Sequence, residues 1–283
     1  MGAIVGVIGA GTMGRGIAQV AASAGLEVLL HDISTDALRE ASSRISSDLH
    51  SIVARGLLPE AQIATVLGRI HPRRELRELA ESDLIIEAAA EDLELKKELF
   101  RGLDRIARPH TILATNTSSL SVTALASVTR VPASVVGMHF FNPPARMKLV
   151  EIIRTDRTSV ETIGRTSDLA RAMGKTPILC NDSPGFIVNR IARPFYGEAL
   201  RLLGEGVSTP EEIDRIVRLS ANFRMGPFEL MDLIGIDVNY AVTQSVYERS
   251  FFEPRFRPHP IQRQMVEAGM LGRKSGKGFY SYG

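Results

Sequence analysis

Tryptophan is absent from the 283-residue chain, and cysteine occurs once, at Cys180. One cysteine closes no disulfide within the chain, so nothing signals an oxidising compartment. Cys180 ends a short apolar run and reads as strand packing, with a nucleophilic thiol as the alternative. An excess of one charge sign is also lacking. The chain has 34 Lys and Arg against 32 Asp and Glu, for a formal net charge of +2. With the basic residues dispersed and no long run of like charge, the concentrated basic face of a nucleic-acid protein is excluded. No apolar stretch reaches the ~20 residues that cross a bilayer. The first apolar run opens at Ala3 and leaves no room for a leader, so the expectation is a cytoplasmic protein without a membrane partner. No His/Cys cluster stands at ligand spacing, so no metal is expected.

The chain does have ample apolar material, 44% of its residues, and it is ordered. The first half alternates short apolar runs with amphipathic stretches, the pattern of βαβ units in a parallel sheet. Strands are expected over residues 3–8, 27–31, 83–89, 111–115 and 135–140. Residues 149–154 alternate as an edge or antiparallel strand would, and 177–180 form the last strand. Helices are expected over 14–24, closed by Gly25, and over 34–68, broken at Gly56–Pro59. Others follow the third strand through Ile106, start after Ser121, and span 159–173. From Pro184 the pattern is almost all helical, over 186–203, 210–221, 227–234 and 238–247. The expectation is a Rossmann-type doubly wound α/β domain, residues 1–183, followed by a smaller all-helical domain, residues 184–283. Apolar residues on more than one face of 186–203 suggest a homodimer built through the helical domain.

Gly9-Ala10-Gly11-Thr12-Met13-Gly14 matches the dinucleotide-binding spacing G-x-G-x-x-G. It lies between an apolar strand and a helix, the context that gives the string its meaning. Gly9 permits the tight turn, Gly11 lets the backbone approach a pyrophosphate, and Gly14 lets helix and strand pack closely. The phosphates then face the free N–H groups of the new helix, from Thr12 and Met13 onward. Asp32 ends the next strand 18 positions after Gly14, near the ~20 expected of a ribose-binding carboxylate. Such a group repels a 2′-phosphate and favours NAD; a helix cap or loop residue is the other reading.

His139 stands at the carboxyl end of a strand, where doubly wound sheets bind ligands. Moving hydride from an alcohol to a nicotinamide requires a base for the hydroxyl proton, and histidine suits the task. Glu151, on the following strand, is placed to orient it. A lone strand-end histidine is otherwise more often structural.

Several ordered motifs extend this pattern: Asn116-Thr117-Ser118-Ser119-Leu120, His139-Phe140-Phe141-Asn142-Pro143, and Leu149-Val150-Glu151. Asp182-Ser183-Pro184-Gly185-Phe186-Ile187-Val188-Asn189-Arg190, Gly226-Pro227 followed by Asp232, and Gly276-Lys277-Gly278-Phe279-Tyr280 complete the series. Over essentially its whole length the chain resembles the short-form L-3-hydroxyacyl-CoA dehydrogenases, of the bacterial 3-hydroxybutyryl-CoA dehydrogenase type. The resemblance implies NAD as cofactor, an acyl-CoA substrate and a homodimer. It implies His139 as general base supported by Glu151, Ser118 and Asn189 on the substrate oxygen, and Asn142 ordering the site. It implies cofactor contacts from Glu91 and Lys96, which otherwise read as a pair on a helix face, and a weaker one from Asn116. In the helical hairpin after the second strand, where related chains carry lysines, Arg55 becomes the candidate for the CoA phosphates; a solvated helix face is the alternative. A dehydrogenase of a free sugar acid within the same superfamily is the competing function.

Overall fold

The computed structural model describes residues 2–283. The described residues separate into two compact units, residues 2–182 and Ser183–Gly283.

The first unit is an eight-stranded Rossmann-like sheet. In chain order its elements are β1 (Ile4–Ile8), α1 (Thr12–Ser23), β2 (Glu27–His31), α2 (Thr35–Val53), α3 (Ala61–Gly68), β3 (Ile70–Arg73) and β4 (Leu84–Glu87). There follow α4 (Leu93–Ile106), β5 (Ile112–Thr115), α5 (Val122–Ala126), β6 (Val135–Phe140), β7 (Leu149–Arg154), α6 (Val160–Ala172) and β8 (Thr176–Asn181). The strands lie in the order β3-β2-β1-β4-β5-β6-β7-β8. The first six are parallel; β7 is antiparallel to β6, and β8 is parallel to β7. The chain order reverses between β1 and β4, which opens the ligand crevice of a doubly wound sheet at their carboxyl ends. Strands β4, β5 and β6 are buried along their whole length, as strands covered on both faces must be. The core that packs α1 and α2 on the sheet includes Val5, Val7, Ile17, Ala21, Leu30, Leu38 and Ile45.

Four readings of the sequence can be set against these elements. Strand β3 was not expected. Its Ile70-His71-Pro72-Arg73 run neither alternates nor stays apolar, and it is an edge strand, pairing with β2, where a proline is tolerated. Strand β7 is antiparallel but not an edge, because β8 continues the sheet. Helix α1 starts at Thr12, two residues before Gly14. Strand β8 is an exposed edge with Ile178 and Leu179 in solvent, so Cys180 does not sit in a packed strand. Burial, with the charges of Glu151 and Asp182, still pushes its thiol up to about 12, which disfavours the reactive thiolate.

The second unit is helical: α7 (Val188–Gly204), α8 (Pro210–Ala221), α9 (Pro227–Ile234), α10 (Ile236–Arg249) and α11 (Pro260–Glu267), the last unexpected. Tyr196, Leu200, Phe228, Met231 and Ile236 form its core. Helix α7 begins at Val188 rather than Phe186, whose φ of 48° is incompatible with a right-handed helix. Two buried carboxylates secure the unit. Asp214 accepts from Phe228 N and Glu229 N at the start of α9 and from the Tyr280 hydroxyl. Asp232 accepts from Phe279 N, Tyr280 N and the Tyr282 hydroxyl, fastening the tail.

Candidate active site

The glycine loop follows β1 directly, and its three glycines meet different constraints. Gly9 has φ 94°, and a Cβ there would lie 2.7 Å from Ala88 O. A Cβ on Gly14 would lie 1.7 Å from Gly9 O, so any side chain is excluded by the loop itself. A Cβ on Gly11 would meet nothing within 4 Å. Gly11 is therefore dispensable to the fold and leaves open space at the N-terminus of α1, a helix whose first turn receives no side-chain cap. Free N–H groups beside open space suit a pyrophosphate, so the loop fits a dinucleotide.

Asp32 follows β2. Its Oδ2 accepts from Ala10 N at 2.8 Å and its Oδ1 from Ser34 N at 2.9 Å. Ser34, not Asp32, caps α2. Asp32 thus braces the glycine loop, and each carboxylate oxygen keeps a lone pair for a ribose hydroxyl.

The antiparallel register places His139 directly opposite Glu151, on the same face of the sheet. His139 Nδ1 lies 2.8 Å from Glu151 Oε2, with side-chain exposures of 7% and 1%. The carboxylate engages Nδ1, which fixes the orientation of the ring. Phe141 packs on the imidazole, ring centroids 4.5 Å apart.

Beyond β4 and β5 a second cluster forms. Glu91 Oε1 accepts from Thr117 Oγ1, Ser118 N, Ser119 N and Ser119 Oγ. Lys96 is buried, its Nζ 2.6 Å from Glu87 Oε1 and 3.4 Å from Glu91 Oε2. The alternative of a Glu91–Lys96 pair on a helix face is corrected: α4 begins at Leu93 with Asp92 as its cap, so Glu91 precedes the helix. Asn116 ties β5 to β6, its Oδ1 accepting from Phe140 N at 2.9 Å.

The remaining candidates stand outside the strands. Asn142 is exposed in the turn after β6, and Asn189 is half-buried at the start of α7 in the helical unit. Arg55 is exposed in the turn after α2, its Nε donating to Ser51 O. Sequence reasoning missed Glu87, although a carboxylate closing the apolar run Leu84-Ile85-Ile86 signals a buried charge that needs a partner. It also missed Lys175, whose Nζ donates to Pro144 O and Met147 O and holds the turn that carries Asn142.

A dinucleotide loop at the switch point of a parallel sheet, with a histidine–carboxylate pair on the same edge, defines a nicotinamide-dependent oxidoreductase. Residues 4–183 match the family model "3-hydroxyacyl-CoA dehydrogenase, NAD binding domain", and residues 185–282 match "3-hydroxyacyl-CoA dehydrogenase, C-terminal domain". The chain belongs to the 3-hydroxyacyl-CoA dehydrogenase family. It is 50% identical over 278 residues to the 3-hydroxyadipyl-CoA dehydrogenase of Escherichia coli, covering 98% of this chain but only 58% of that protein. It is 47% identical to a probable 3-hydroxybutyryl-CoA dehydrogenase of Deinococcus radiodurans, covering 98% and 99% of the two chains. The crystal structure of (S)-3-hydroxybutyryl-CoA dehydrogenase from Ralstonia eutropha superposes with a TM-score of 0.95 at 43% identity, covering 100% of both chains.

Proposed function

We propose that this chain interconverts L-3-hydroxyacyl-CoA and 3-oxoacyl-CoA with NAD, on short acyl chains such as 3-hydroxybutyryl-CoA. The observation that carries the reading is the buried His139–Glu151 pair on the ligand-binding edge of the family's NAD-binding domain. Bound NAD⁺ supplies the acceptor for the hydride that leaves C3 of the substrate. His139 Nε2 takes the 3-hydroxyl proton as the C3–O bond becomes a carbonyl, and returns it in the reverse direction. Glu151 fixes the imidazole through Nδ1 and balances the positive charge the ring acquires.

Ser118 is assigned to the reacting oxygen, Asn189 of the helical unit is assigned the same role from the family resemblance, and Asn142 orders its turn. Gly9, Gly11, Thr12, Met13 and Gly14 hold the pyrophosphate, and Asp32 takes the adenosine ribose and excludes a 2′-phosphate. Glu91 serves the nicotinamide end, with Lys96 and Asn116 in support. Arg55 receives the CoA phosphates.

The chain acts as a cytoplasmic homodimer formed through the helical unit. Helix α7 exposes Ile191, whereas α8 exposes Ile216 and Leu219, with Phe223 just beyond it. The apolar side chains free to meet a second copy therefore lie more on α8 than on the 186–203 segment expected from the sequence.

The test is turnover of acetoacetyl-CoA with NADH, followed by loss of NADH absorbance. Turnover supports the acyl-CoA reading. Activity confined to a free sugar acid overturns it.

A further inference from the structure

The carboxyl ends of β4 and β5 hold charges that the proposed proton transfer does not use. Glu87 is 0% and Lys96 1% exposed. Burying two full charges is costly, and apolar residues of similar volume often serve stability as well or better. The pair therefore calls for an explanation in what it holds.

Glu87 Oε1 accepts from Lys96 Nζ at 2.6 Å and from Ala89 N at 2.7 Å, and Oε2 accepts from Thr115 Oγ1 at 2.8 Å. Lys96 Nζ also donates to Ala89 O at 3.3 Å and faces Glu91 Oε2 at 3.4 Å. The other oxygen of Glu91 gathers the 117–119 turn, where Thr117 Oγ1 donates to it at 2.5 Å. Thr117 N donates back to Thr115 Oγ1 at 3.2 Å. The contacts close a ring that runs Glu87, Lys96, Glu91, Thr117, Thr115 and back to Glu87. It locks the loop after β4 to the turn after β5, and Ser118 rides on that turn. Of the two carboxylates, Glu91 is the one open to a ligand, with its side chain 39% exposed.

We propose that Glu87 is a positioning residue for the cofactor end of the site. It fixes the Lys96 ammonium, and through it the Glu91 carboxylate and the Ser118 turn; the inference rests on the reading of Glu91 as a cofactor contact. Lys96 Nζ donates to Glu87 Oε1 and Ala89 O, and its charge faces Glu91 Oε2 at 3.4 Å. Without the Glu87 charge, the ammonium loses its shortest contact, and the Glu91 carboxylate and the Ser118 turn lose the anchor that reaches them through it.

The test compares wild type, Glu87→Gln, and Glu87→Gln combined with Lys96→Met, reading NADH Kd by titration alongside the thermal midpoint. The double variant leaves no unpaired buried ion. It is expected to melt close to wild type yet bind NADH about tenfold more weakly, as loss of a charge-assisted hydrogen bond does. Its kcat at saturating NADH should fall less than kcat/KM for NADH. A double variant with wild-type stability and wild-type Kd overturns the proposal, because the pair then serves the fold alone. If removing either charge prevents folding, Glu87→Asp keeps both and withdraws the carboxylate by one methylene. The same rise in Kd is expected there, and an unchanged Kd likewise overturns the proposal. Since NADH binding is read without acyl-CoA, a wild type that binds NADH but leaves acetoacetyl-CoA untouched defeats the proposed substrate, not the role of Glu87.

Discussion

Glu151→Gln isolates the charge behind the proposed base. Glutamine matches glutamate in shape, and its side-chain carbonyl still accepts a hydrogen bond from His139 Nδ1, so the 2.8 Å contact survives while the negative charge is lost. Side-chain exposures of 7% and 1% leave little room for water to replace that charge. A hydrogen bond to a charged partner contributes about 1.5–3 kcal/mol, and this one reaches full strength only as the ring becomes imidazolium. At about 1.36 kcal/mol per decade of rate, kcat for oxidation of 3-hydroxybutyryl-CoA should fall about 10- to 150-fold. The assay is initial-rate appearance of NADH at saturating substrate, run beside an NADH titration and a melting curve. Kd for NADH and the melting midpoint should stay near wild type. An unchanged kcat refutes the electrostatic role. A fall in kcat matched by an equal loss of NADH affinity refutes it too, since the damage then lies in the cofactor site.

His139→Ala removes the proposed base, so kcat should drop about 10² to 10⁴-fold with Kd for NADH little changed, measured by the same assay and titration. Gly11→Ala and Gly14→Ala should part company. The first adds a methyl into open space and should keep the wild-type melting curve while weakening NADH binding. The second sets a Cβ 1.7 Å from Gly9 O and should lower the melting midpoint sharply or abolish soluble protein. Equal behaviour of the two in melting and titration would contradict the proposed loop geometry. Lys175 has its pKa lowered by burial, and a neutral amine still carries two N–H donors for Pro144 O and Met147 O. The unfolded chain then holds the extra proton between the lowered pKa and the ordinary 10.5, so stability rises with pH across that window. Urea midpoints of wild type should gain on those of Lys175→Met as pH climbs through it, and a gap that narrows instead would contradict the sign.

Legibility in the sequence followed burial. Strands β1, β2, β4, β5 and β6 announce themselves as apolar runs because both their faces are covered. Strand β3 does not, because an edge tolerates Pro72 and polar neighbours. The glycine loop is readable from three residues because backbone geometry permits nothing else at Gly9 and Gly14. His139 is readable as a strand end, but its partnership with Glu151 depends on the β6–β7 register, which the 141–148 turn sets and no periodicity records. Glu91 looked like a helix residue because it is followed by a strongly helical run, and only the Asp92 cap puts it outside. Glu87 was passed over because it lies inside the expected 83–89 strand, where no sequence pattern shows that its carboxylate is paired in the interior. Contacts between side chains far apart in sequence, such as Thr115 with Glu87 or Lys175 with Pro144 O, leave no local signature.

One device recurs in loops that follow the strands of the sheet. Asp32 holds Ala10 N and Ser34 N, Glu91 holds Ser118 N and Ser119 N, and Asp182 holds Ser121 Oγ and Thr123 N. Each carboxylate satisfies backbone or hydroxyl donors in a loop that regular structure does not reach, and buried donors must be satisfied somewhere. Charge-assisted bonds of this kind are stronger than neutral ones, so the loops are held firmly without being woven into the sheet. The consequence is clearest at Asp32. The carboxylate that would choose NAD over NADP is also the brace of the glycine loop, so cofactor selection and loop order cannot be altered independently. A replacement that admits a 2′-phosphate must still present an acceptor to Ala10 N, or the pyrophosphate cradle loosens at the same step.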